Sequence, residues 1–99
     1  MDIRLPLGKT VRIEIADCTI LFREVIEDSV TIRSKSRNGK VLLDVKYADS
    51  VKHLQLNTVN NPRIYYLENG RYYQLELIGL GITQGEYEII LRFNGYAYL

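Results

Sequence analysis

The chain has no tryptophan, one cysteine (Cys18), one histidine (His53) and two prolines in 99 residues. Each scarcity excludes something. A single cysteine cannot close an intramolecular disulfide, nor can it supply a cysteine-rich zinc site. The chain is therefore no disulfide-stapled secreted scaffold. His53 has no second histidine, catalytic-cysteine signature or metal-ligand cluster beside it, and it reads as a surface or half-buried side chain. Cys18 reads as a small buried hydrophobe. Apolar runs such as Ile20–Phe22 and Ile89–Leu91 are short, far below the length of a membrane span. The opening segment MDIRLPLGKT lacks the apolar stretch of a secretory signal. The expectation is an intracellular protein that uses no membrane. With no linker, repeat or low-complexity segment, residues 1–99 read as a single compact β-rich domain.

An excess of charge of one sign is also missing. Thirteen basic residues face 12 acidic ones, a net charge of +1. That excludes charge-driven disorder and a generally basic nucleic-acid coat. The 46% hydrophobic content is ordinary for a folded chain, and a chain of this length buries about two-thirds of its unfolded surface.

What is present is tyrosine, eight copies of it, and three Asn-Gly dipeptides at 38–39, 69–70 and 94–95. Asn-Gly tolerates the positive φ angles of a type I′ turn and closes two-residue β-hairpins. A turn at Asn69-Gly70 predicts that Glu68 faces Arg71, Tyr66 faces Tyr73, Ile64 faces Leu75 and Arg63 faces Glu76. One face of that hairpin is then apolar, and the other carries Arg63, Tyr65, Leu67, Tyr72, Gln74 and Glu76. A turn at Asn38-Gly39 sets Arg33 opposite Asp44 and Ile32 opposite Val45. A turn at Asn94-Gly95 sets Phe93 opposite Tyr96 and Leu91 opposite Tyr98, with Tyr87, Ile89, Leu91, Phe93, Tyr96 and Tyr98 on one face. Val11, Ile13 and Ile15 alternate as a half-buried strand. Thr19–Glu27 reads as a strand with Ile20, Phe22, Glu24 and Ile26 on one face. A short helical turn falls within 48–54, capped by Ser50, followed by a strand near Leu54–Asn57. The fold class is mainly β: an antiparallel barrel or sandwich built from Asn-Gly hairpins.

Two features invite a functional reading. The segment at 33–40 gathers Arg33, Lys35, Arg37 and Lys40 with two serines. It reads either as a phosphate-gripping β-ribbon or as a solvated tip whose like charges oppose aggregation. Tyr65 and Tyr72, on the mixed face of the middle hairpin, offer rigid contact area with polar tips, suited to a protein partner. The remaining tyrosines read as core or edge cover. The acidic group Glu24, Glu27 and Asp28 lacks calcium-loop spacing and reads as a solvated turn. Gly79-Leu80-Gly81 and Gly85 lack a phosphate-loop pattern and read as a flexible connection.

IRSKSRNG at 32–39, YADSVK at 47–52 and LQLN at 54–57 resemble antibody heavy-chain variable domains around their second hypervariable loop. The chain departs from that pattern in having neither the cysteine pair nor the core tryptophan. Over its whole length, the Ile-, Leu- and Tyr-rich, tryptophan-free composition is similar to that of small β-rich proteins of filamentous viruses of hot-acid archaea, the lipothrixviruses and rudiviruses. That resemblance implies thermal and acid stability, and a location in the host cytoplasm. The expected function is a non-catalytic structural or protein-interaction protein that forms a homodimer. The alternative is a nucleic-acid-binding module using the 33–40 hairpin. No enzyme activity, cofactor, metal site or small-molecule substrate is expected.

Overall fold

Polar and apolar residues alternate through most of the chain, and a period of two is the pattern of a strand buried on one face. The computed structural model describes residues 1–30, 37–59, 62–68 and 70–97. Among these it forms β1 (Asp2–Pro6), β2 (Thr10–Ile13), β3 (Cys18–Val30), β4 (Arg37–Lys46), β5 (Val51–Asn57), β6 (Arg63–Glu68), β7 (Arg71–Thr83) and β8 (Glu86–Ala97). A 3-10 turn at Glu14–Ala16 joins β2 to β3. All pairings are antiparallel. Two four-stranded sheets result, ordered β1-β8-β7-β6 and β2-β3-β4-β5. They pack over one core and do not close into a barrel.

The chain changes sheet at the β1–β2 corner. The Leu7 N–H donates to the Tyr87 carbonyl at 2.9 Å, and the Gly8 N–H donates to the Phe22 carbonyl at 2.8 Å. Consecutive amides thus bond to opposite sheets, which requires a sharp turn. Gly8 supplies it with φ 80°, a conformation that costs glycine little. At the core, Ile20, Phe22, Val41, Leu43 and Val45 of one sheet meet Leu75, Leu77, Ile89, Leu91 and Phe93 of the other. Tyr73 stacks on Phe93 and tilts against Tyr66, each at 5.5 Å between ring centres. Such contacts add about 0.5–1.5 kcal/mol each beyond burial. Beside the turn from β4 to β5, the Lys52 ammonium lies 5.8 Å from the Tyr47 ring centre and 5.7 Å from that of Tyr66. One cation therefore caps two rings, Tyr47 of the β4–β5 turn and Tyr66 of β6 in the other sheet. Burial, with Tyr47 and Cys18 close by, pushes the Tyr66 phenol pKa up.

The β6–β7 register is the one the sequence predicts, from Arg63 opposite Glu76 to Glu68 opposite Arg71. Asn69 of the turn itself lies outside the described residues. The other two Asn-Gly dipeptides are not turns. Asn38 and Gly39 lie inside β4, opposite Ser29 and Asp28, and Asp44 faces Leu21 rather than Arg33. Asn94 and Gly95 lie inside β8, opposite Gln74 and Tyr73, and Phe93 faces Leu75 rather than Tyr96. The turn between β7 and β8 is Gln84-Gly85, with φ 53° and 81° between the paired Thr83 and Glu86. Positive φ at both central residues is the type I′ geometry. Gly79 and Gly81 accordingly belong to β7 and not to a flexible connection.

Further corrections concern single segments. No helix forms within 48–54. A four-residue turn, closed by the Tyr47 N–H donating to the Ser50 carbonyl at 2.8 Å, leads directly into β5. Ile15 leaves the strand alternation and is exposed in the 3-10 turn. Register shifts at Phe22/Glu24 and Val25/Glu27 mark two bulges in β3. Each extra residue reverses the inside–outside alternation. Ile26 is exposed as a result, while Ile20 and Phe22 are fully buried. The acidic group Glu24, Glu27 and Asp28 stands within β3 rather than in a turn.

Candidate interaction surface

Antiparallel pairing sets residues of successive strands side by side on one face. Across the outer face of the β1-β8-β7-β6 sheet this builds a row of alternating charge. Arg63 of β6 lies opposite Glu76 of β7, Glu76 opposite Arg92 of β8, and Arg92 opposite Asp2 of β1. The Arg63 guanidinium donates to the Glu76 carboxylate through Nη2 at 3.1 Å and Nε at 3.3 Å. The Arg92 guanidinium donates to Asp2 at 2.9 and 3.3 Å. Hydrogen bonding from Arg92 holds the Asp2 carboxyl below its ordinary pKa and, reciprocally, raises that of Arg92. The Arg63 pKa is raised first by hydrogen bonding with Tyr65 and then by Glu76.

The next row holds Tyr65, Gln74 and Asn94. Tyr65 is 57% exposed and Tyr72, two positions before Gln74 on β7, is 42% exposed. Between them Gln74 points outward from the core side of β7, yet it is only 5% exposed. Its neighbours cover it, so the tyrosine rings, the amide and the charge row form one continuous surface. The sequence placed Tyr65 and Tyr72 on one face, and the structure brings them together there. It also adds Arg92 and Asp2, which sequence reasoning missed because the assumed Asn94-Gly95 turn folded β8 back on itself.

On the other side of the charge row, Gly79 pairs with Ile90 and Ile90 with Arg4. Apart from their own chain neighbours, neither Gly79 nor Gly81 has an atom within 4 Å of where a Cβ would stand. The surface is hollowed there, with a volume of about 210 Å³ lined in part by Arg4, Ile82, Glu88 and Ile90. Arg4 and Glu88 form an ion pair at 3.1 Å beside it.

The other candidates separate. Arg33 and Lys35 lie outside the described residues, and Arg37 occupies the first position of β4. Lys40 is half-buried, with its ammonium 3.9 Å from the Glu27 carboxylate. On the outer face of the second sheet, the Asp44 carboxylate accepts a hydrogen bond from His53 Nδ1 at 2.6 Å and lies 3.5 Å from the Arg23 guanidinium. His53 is exposed there, as the sequence indicates. Cys18 is fully buried. Among the described residues, no group of three or more His, Cys, Asp or Glu could hold a metal ion. No helix among them is long and apolar enough to cross a membrane. Comparison with known proteins returned no matching family model, no matching curated protein and no matching solved structure.

Proposed function

We propose that this chain is a non-catalytic structural protein that works by protein contact, associating with itself through the outer face of the β1-β8-β7-β6 sheet. One observation carries the reading: two exposed tyrosines flank a covered glutamine on a face whose charges are already ordered. Tyrosines supply large contact area at small entropic cost, and ordered neighbours lose little freedom on docking. A homodimer is the commonest way to cover such a face. The nucleic-acid alternative has less support, because Lys40 is paired with Glu27. The compositional resemblance to proteins of hot-acid archaeal viruses extends the proposal to a structural part in such a virus, within the host cell.

The test is light scattering coupled to size-exclusion chromatography, on wild type and on Tyr65→Ser/Tyr72→Ser. Wild type is expected to elute as a dimer and the double variant as a monomer with an unchanged fold by circular dichroism. A dimer that survives both substitutions would place the contact elsewhere.

A further inference from the structure

The charge row has a property that isolated ion pairs lack. Read from β6 to β1 it runs plus, minus, plus, minus: Arg63, Glu76, Arg92, Asp2. An alternating row with an even number of members becomes its own complement when reversed. A two-fold axis in the plane of an interface, parallel to the strands and between β7 and β8, performs that reversal. It exchanges β7 with β8 and β6 with β1. Glu76 of one copy then faces Arg92 of the other, and Arg63 faces Asp2, each contact occurring twice. A two-fold axis along the row would instead set Arg63 on Arg63 and Glu76 on Glu76. Like charges opposite one another cost several kcal/mol in an interface, so the pattern discriminates between the two axes.

The rows on either side obey the same operation. Gln74 of β7 falls over Asn94 of β8, two amides that can donate and accept reciprocally. On the other flank Ile90 of β8 falls over Gly79 of β7, where the surface is hollow. The projecting Ile90 of one copy meets the glycine hollow of the other, beside the exposed Ile78 that the β7 bulge inserts next to Gly79, twice. Face-to-face sheets sit about 10 Å apart, a gap that interdigitating side chains fill. Tyr72 flanks the amide pair, and Tyr65 on β6 lies at the rim.

We infer that a second copy of this chain docks face to face on the β1-β8-β7-β6 sheet about an axis parallel to β7 and β8, with Glu76 against Arg92 and Ile90 over Gly79. This rests on the self-association proposed above and specifies its geometry.

The test uses two charge reversals, Glu76→Arg and Arg92→Glu, in the full chain, read by native mass spectrometry. Each variant alone places like charges together twice, and its dimer is expected to weaken by about 100-fold or more. Mixed in equal amounts, the two variants restore opposite charges at both central contacts, and a heterodimer forms. Gly79→Leu, which fills the hollow without touching the core, is expected to weaken the wild-type contact by about tenfold or more. If wild type dimerises through its tyrosines but the mixture yields no heterodimer, or Gly79→Leu leaves the dimer intact, the two-fold arrangement is wrong while the interaction face stands. A wild type that stays monomeric overturns both.

Discussion

Two glycines in strands serve opposite purposes. A Cβ on Gly39 would overlap Leu80 Cδ2 and stand 2.5 Å from the Glu27 carbonyl oxygen. Leu80 belongs to the facing sheet, so β4 and β7 are in close contact at Gly39. The Gly39 N–H also donates to the Thr58 hydroxyl at 2.9 Å, and the Thr58 N–H donates to the Gly39 carbonyl at 3.0 Å. Gly39→Ala is expected to destabilise the chain by about 1–3 kcal/mol, the usual cost of overpacking. Gly79→Ala, with open space around its Cβ position, is expected to change stability by less than about 0.5 kcal/mol. Urea unfolding of both variants at the same temperature checks the pair. The local sequence could not show this difference. Asn38-Gly39 carries a turn signature, but what demands glycine there is the Glu27 carbonyl of β3 together with Leu80 of the facing sheet, both distant in the chain. Near the same point, the Tyr87 hydroxyl donates to the Asp28 carboxylate across the sheets at 2.8 Å. That bond accounts for an acid on the inward side of β3.

At the scale of elements, what was legible depended on whether a local pattern had a competitor. The β6–β7 register emerged because one assumed turn gave both an apolar face and matched charges. The β7–β8 hairpin did not, because its turn uses Gln84 where Asn is favoured, while Asn94-Gly95 offered a better-looking turn inside the strand. The bulges of β3 were equally hidden, since an inserted residue leaves no compositional trace, and so Ile26 was misplaced. Gln84 sits at φ 53°, which costs an ordinary side chain about 1 kcal/mol. Gln84→Asn is therefore expected to raise stability by up to about 1 kcal/mol, and Gln84→Val to lower it similarly, by thermal melts. The charge row makes a pH prediction. The folded pKa of Asp2 is depressed by Arg92. Its contribution to stability is thus present above the ordinary aspartate range and is lost as pH falls through the lowered folded value. Carboxyl NMR titration is expected to find Asp2 below 3.8 and to move it upward in Arg92→Gln.

At the scale of the whole molecule, the two long hairpins β3–β4 and β7–β8 set an elongated body of 44 × 25 × 20 Å. Composition and alternation gave the all-β class, but not the choice between barrel and sandwich. That choice rests on the β1–β2 corner and on β1 joining β8, contacts between the ends of the chain that no local pattern encodes. The same long-range pairing completes the alternating charge row, because Asp2 reaches Arg92 only when β1 lies beside β8. Near-zero net charge thus conceals an ordered surface whose two signs alternate. The central claim is that this surface binds a second copy of itself. Sedimentation equilibrium of the wild-type chain over a dilution series, at low and high salt, tests it most directly. The expected result is a species of twice 11.5 kDa that dissociates on dilution, and more readily in salt, which screens the ionic contacts. A mass of 11.5 kDa at every concentration and salt would contradict it.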